Sequence, residues 1–171
     1  MTAASKVTSE GDTVSMVRLM PGTPPPPTYK AAWPFGGTCD RWQEIEFEVN
    51  HLRIWTGAVE PATDAIDDPD RGGFHMRGFH GITPETDEPC YYFWSMCGNR
   101  HPDMPETIET VIEQTRLTFD DDRVVIEAQH KNRQQFGTDA TWTDIHVDVS
   151  ANRARRVVAR LMQQQSAAMA F

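Results

Sequence analysis

The sequence predicts an α+β fold: an antiparallel sheet with C-terminal helices packed on one side. Two observations carry this. From Asp40 to Cys97 the chain runs in short alternating segments joined by turn-rich stretches, with no helical segment between them to force parallel pairing. After Asn99 the apolar spacing changes from a period of two to a helical one. With 171 residues, 39% hydrophobic content and five Trp, the chain is long enough for one folded domain with a real core.

The elements follow in order. Residues 1–12 are small and polar and read as a loose start. Thr13–Met20 alternates as a strand. Pro21–Pro27 (PGTPPPP) then reads as a stiff, extended connector rather than a ligand for a proline-recognising partner. In Trp42–Val49, Ile45, Phe47 and Val49 share one face, and Glu44, Glu46 and Glu48 share the other. That pattern is a half-buried strand. Leu52–Val59, Phe74–Ile82 and Cys90–Cys97 are three more strands, separated by an acidic loop at Glu60–Gly73 and by the turn TPETDEP. Ile108, Ile112, Thr115 and Phe119 mark a first helix, with Pro105 at its entry. A second helix is expected from about Asp121 to Gln134, then a break over Phe136–Trp142. A last helix, capped by Ser150, runs through Gln165 with Val157, Val158, Leu161 and Met162 on its apolar side.

Charge and cysteine content narrow the function. A net charge of −9 argues against nucleic acid as a partner, because phosphate binding needs a basic surface. Cys39, Cys90 and Cys97 form no Cys-x-x-Cys or Cys-x-His pair, and their odd number fits a reducing compartment. No apolar run approaches the ~20 residues of a membrane span, and the first residues lack a signal-peptide core. A cytoplasmic domain with no membrane partner is the expectation.

Three candidate sites emerge. Asp120, Asp121 and Asp122 precede an apolar helical run. They read either as ordinary acids of a helix first turn, or as a cluster in which one carboxylate turns inward as a hard oxygen ligand. Local spacing does not choose. His75 and His80 have an H-x4-H spacing, but their odd separation puts the rings on opposite faces of a regular strand. His80 alone reads either as a core or edge histidine or as a substrate hydrogen-bond donor in a concave sheet. Cys97 and His101 have no second pair to complete a zinc site. No nucleophile elbow and no glycine-rich phosphate loop is present.

Gly78–Arg100 (GFHGITPETDEPCYYFWSMCGNR) resembles a signature of Rieske non-haem iron oxygenases of the vanillate and dicamba O-demethylase type. The downstream pattern is similar too, matched by Phe119, Asp122, Arg123, Glu127, Ala128 and Gln129. So is the Asp-Arg-Trp of Asp40–Trp42. The resemblance runs from about Thr13 to the last helix. It implies the C-terminal part of a helix-grip, START-like catalytic domain, incomplete here, in which two histidines and one carboxylate hold a mononuclear Fe(II). By the family motif the carboxylate falls on Asp122, His80 faces the aromatic substrate, and Trp55 is a further pocket candidate. The family's Cys-x-His and Cys-x-x-His pairs for a [2Fe–2S] cluster do not occur here, so that cluster is not bindable by this chain. Its D-x-x-H-x4-H segment, which carries the two iron histidines, is absent as well.

The resemblance therefore implies a fragment of a larger oxygenase, or a split or decayed gene product, that is inactive alone. A small aromatic substrate, a separate reductase, the N-terminal Rieske portion and a homotrimer complete the implied system. The alternative is a non-catalytic small-molecule-binding domain derived from the same fold.

Overall fold

A computed structural model describes residues 4–63, 68, 70–86, 88–137 and 144–169. Six strands form one antiparallel sheet in sequence order: β1 (Ala4–Glu10), β2 (Thr13–Thr23), β3 (Cys39–Glu48), β4 (His51–Val59), β5 (Phe74–Pro84) and β6 (Cys90–Gly98). Three helices join them: α1 (Pro27–Ala32), α2 (Thr107–Phe136) and α3 (Val149–Ala168). The α+β architecture and the four strands from β3 to β6 agree with the alternation in the sequence.

Four expectations change. The loose start is β1, which pairs with β2 through a turn at Gly11, where φ is +57°. Glycine adopts that left-handed backbone at no steric cost. The proline-rich connector is divided: Pro21–Thr23 extend β2, and Pro27 opens α1, where a first-turn proline loses no hydrogen bond. The two helices expected on either side of Asp120 are one helix of 30 residues. The three aspartates are thus in its middle, not at an N-terminus. Arg116 bonds Asp120 at 2.8 Å and Arg123 lies 3.8 Å from it, so local ion pairs offset the clustered charge. α3 begins at Val149 after a turn of 3₁₀ helix, with Asp148 rather than Ser150 at its cap. Most of the expected break after Phe136, residues 138–143, lies outside the described residues.

Register fixes which side chains share a face, because opposed residues of antiparallel strands point the same way. The first face carries Met16, Ile45, Ile54, Gly78 and Met96 in one cross-strand row. Leu52, His80 and Trp94 lie in another. All three helices pack on this side. α1 and the start of α2 close a core of Tyr29, Ala32, Cys39, Ala58, Phe74, Ile108 and Val111. α3 meets β2, where the Ser150 hydroxyl lies 3.7 Å from the Met16 sulfur, and Arg153 bonds the Val7 carbonyl of β1 at 2.9 Å.

The opposite face carries Glu44, Glu46, Glu48, Arg53 and Arg77. There Arg53 pairs with both Glu46 and Glu48. Among the described residues, no helix is long and apolar enough to cross a membrane.

Candidate functional site

The helix α2 lays one stripe across the first face of the sheet. Ile108, Val111, Thr115, Phe119 and Asp122 follow one another at three- or four-residue steps, which keeps them on one side of an α-helix. Ile108 and Val111 are buried; Phe119 is half-buried. Beneath Phe119 lie three rings from β5 and β6. Its ring centroid is 5.0 Å from Trp94, 5.5 Å from His80 and 6.1 Å from Tyr92, each in an edge-on arrangement of the kind aromatic quadrupoles favour.

His80 is the polar centre of this group and is only 8% exposed. Its Nδ1 lies 2.5 Å from the Tyr92 hydroxyl, and the two rings stack at 5.9 Å. Burial lowers the His80 pKa from its usual 6.5, so the imidazole stays neutral around pH 7. Tyr92 is 47% exposed, yet partial desolvation and then the negative charge of Asp122 raise its pKa above the ordinary value. That coupling brings Asp122 to the same group of residues. Among the described residues Asp122 has no ion-pair partner, and it stands exposed at the end of the stripe, one turn beyond Phe119. Asp120 and Asp121 lie off the stripe.

The burial of neutral histidines has a consequence for stability. His75 is also lowered by burial, and then by the neighbouring Arg77. Above the unfolded pKa of about 6.5 neither state binds the proton, so stability does not change with pH on this account. Below it the unfolded chain takes up protons that the native His75 and His80 resist. Stability therefore falls as pH drops from 6.5 toward their lower folded values. The urea midpoint is expected to decrease between pH 7 and pH 5, and His80→Gln is expected to flatten that slope. An identical slope in the variant would refute the assignment.

The sequence-derived candidates divide between the two faces. His80 is buried against Phe119 and Tyr92, and the exposed Asp122 is linked to that group through its charge acting on Tyr92. His75 and His80 occupy opposite faces, as strand alternation requires, and share no site. Trp55 is opposed to Arg77 and Glu44 on the second face. There it packs edge-on against Trp42 and His75, with the guanidinium groups of Arg71 and Arg77 over its ring at 4.4 and 4.3 Å. The structure does not bring Trp55 to His80. A depression of ≈ 670 Å³ follows the middle of the sheet, lined by Met16, Ile45, Ile54, Gly78 and Met96 together with Trp55 and Arg77, and neither His80 nor Asp122 lines it. His101 packs edge-on against Trp33 and accepts a hydrogen bond from the Asp103 amide.

Tyr92, Trp94 and Gly78 were not singled out in the sequence as site residues. A Cβ at Gly78 would lie 3.1 Å from His80 Nε2, so the missing side chain leaves room for the imidazole to lie along the strand. The signal for Tyr92 and Trp94 was their parity with His80, which becomes readable only once the β5–β6 register is known.

The arrangement offers a neutral imidazole and a phenol beside two further aromatic rings, Phe119 and Trp94, with a carboxylate at the edge. Planar apolar ligands with one polar substituent suit such a surface. Among the described residues no three His, Cys, Asp or Glu side chains converge as a metal site. One carboxylate does not hold Fe(II) in a fixed geometry, so these residues alone do not fit a complete iron centre.

Residues 1–164 match the model of the vanillate O-demethylase oxygenase C-terminal domain. The chain belongs to this family. It is 29% identical over 167 residues to the vanillate O-demethylase oxygenase subunit of Pseudomonas sp. (strain HR199 / DSM 7063), covering 93% of this chain and 46% of that protein. Identity to the dicamba O-demethylase oxygenase component of Stenotrophomonas maltophilia is 26% over 164 residues, covering 94% and 47% respectively. The crystal structure of dicamba monooxygenase bound to 3,6-dichlorosalicylic acid superposes with a TM-score of 0.80 at 25% identity, over 96% of this chain and 48% of that one. The chain thus spans about half the length of the relatives it matches.

Proposed function

We propose that this chain is the C-terminal part of the catalytic domain of a Rieske-type oxygenase that hydroxylates or demethylates small aromatic compounds. One observation carries the reading. Asp122 continues the α2 stripe that places Phe119 over His80, Tyr92 and Trp94, so a free carboxylate and an aromatic pocket wall face the same space. In this reading Asp122 is one ligand of a mononuclear Fe(II), and two histidines come from a segment outside this chain. His80 hydrogen-bonds the substrate, while Phe119, Tyr92 and Trp94 exclude water from one side of its ring. The bound iron would supply O₂ activation. Electrons arrive from a [2Fe–2S] domain and a separate reductase within a cytoplasmic, trimeric assembly. Trp55, on the far face, has no part in this pocket.

The relatives' names support an aromatic, often acidic, substrate: vanillate, dicamba and, in a further relative from Comamonas testosteroni, toluene-4-sulfonate. The exposure of Asp122 and the absence of a three-donor cluster among the described residues favour a second reading, a binding domain without catalysis.

An anaerobic Fe(II) titration separates the two. The chain alone is expected to bind no stoichiometric iron. A polypeptide joining it to an upstream segment with the D-x-x-H-x4-H motif is expected to bind one Fe(II) per chain. Failure of the joined polypeptide to bind iron would leave the binding-domain reading in place.

A further inference from the structure

A neutral imidazole has one donor and one acceptor nitrogen, and the partner of one nitrogen decides what the other can do. At His80 that partner is the Tyr92 hydroxyl, 2.5 Å from Nδ1. We propose that Tyr92 is a positioning residue: its hydroxyl donates to Nδ1 of His80 and fixes the tautomer whose single N–H, on Nε2, selects aromatic ligands bearing an acceptor such as a carboxylate or carbonyl oxygen. The proposal rests on the reading of His80 as a substrate contact and adds to it the direction of the hydrogen bond.

Three features of the geometry support that direction. A phenol O–H is a strong donor, its ring-conjugated oxygen is a weak acceptor, and an unprotonated imidazole nitrogen is a strong acceptor. Phenol to imidazole is therefore the better pairing. The pair is also held from a third side. Phe119 meets both rings edge-on, at 5.5 and 6.1 Å, which restricts the rotation that would break their contact.

The Nε2 atom, finally, lies over Gly78, whose cross-strand neighbours are Ile54 and Met96. None of these side chains offers Nε2 a partner. Among the described residues it makes no hydrogen bond, yet it is not sealed from solvent. A donor over an apolar floor loses water when a flat ligand enters, so leaving it unpaired is costly and a ligand acceptor is favoured. A ligand with an amine at the same place would set donor against donor.

Among the described residues, the titratable groups that act on the pair are Tyr92 itself on β6 and Asp122 on α2. Asp122 stands near the phenol and is not a hydrogen-bond partner of His80.

The test is the ring-nitrogen spectrum of His80 in the ¹⁵N-histidine-labelled chain, assigned by loss of its signals in His80→Gln. The wild type is expected to show an unprotonated, hydrogen-bonded Nδ1 and a protonated Nε2. Tyr92→Phe, which keeps the ring and loses the hydroxyl, is expected to give the averaged shifts of mixed tautomers. Phe119→Leu, which loosens the packing and keeps the hydroxyl, is expected to retain the wild-type tautomer. Benzoate should shift the Nε2 resonance and bind on the order of 5–10-fold more weakly to Tyr92→Phe, whereas benzylamine should leave the resonance in place.

A protonated Nδ1 in the wild type, or an unchanged spectrum in Tyr92→Phe, would overturn the proposal. The predicted tautomers with no response to benzoate would overturn the ligand selectivity and the substrate role of His80, while upholding the tautomer set by Tyr92.

Discussion

Asp122→Ala is expected to abolish iron retention in an oxygenase containing this chain, with activity falling more than ~100-fold, while Asp120→Ala and Asp121→Ala retain the metal. The three adjacent carboxylates look interchangeable in the sequence, but a helix turns about 100° per residue. Only Asp122 continues the line through Val111, Thr115 and Phe119, and only its charge reaches Tyr92. Asp120 is committed to Arg116 and Arg123. Because Asp122 is exposed and makes no ion pair among the described residues, its removal should change folding stability by no more than about 0.5 kcal/mol. The decisive comparison is iron content against urea midpoint for the three alanine variants. Metal loss shared equally by all three, or confined to Asp120, would refute the assignment.

Trp42→Ala is expected to cost about 3–5 kcal/mol, the range for removing a large buried aromatic. Trp42 is fully buried on the second face, although that face is otherwise strongly charged. The guanidinium of Arg71 covers its ring at 4.9 Å, and Trp55 packs against its edge. The indole reaches across β4 because Gly57 has no side chain. A Cβ there would stand 2.4 Å from the Trp42 ring and 2.6 Å from the Phe74 carbonyl oxygen. Gly57→Ala should therefore destabilise by about 3 kcal/mol through overpacking. The two substitutions should not be additive: without the indole, only the clash with the Phe74 carbonyl remains. Urea denaturation of both single variants and the double variant measures this coupling. A simple sum would show that Gly57 and Trp42 do not depend on each other.

The sheet was largely legible because its chemistry is local. Ile45, Phe47 and the intervening glutamates alternate, and that pattern locates β3 and its two faces before any partner is known. Gly11–Asp12 between two short runs was the available hairpin signal for β1, but a polar edge strand has no apolar alternation to support it. α1 was hidden by the prolines before it, which suit an extended chain as well as a helix entry. The division of α2 had a similar cause. Aspartates at a helix start and aspartates paired with Arg116 and Arg123 in mid-helix have the same local composition. His80 was identifiable as a candidate, but its partners were not, because Tyr92 and Phe119 reach it through cross-strand register and helix docking.

The uninterrupted α2 also limits how such a pocket can diversify. Phe119 and Asp122 are three residues apart on one rigid rod, a rise of about 4.5 Å. No loop between them can lengthen to move the aromatic wall away from the carboxylate. Inserting one residue there would swing the carboxylate about 100° around the helix axis. If this group of residues is the substrate pocket proposed above, room for a bulkier ligand comes from the sheet, at positions such as Ile54, Met76 and Met96, where a side chain can shrink without disturbing the helix.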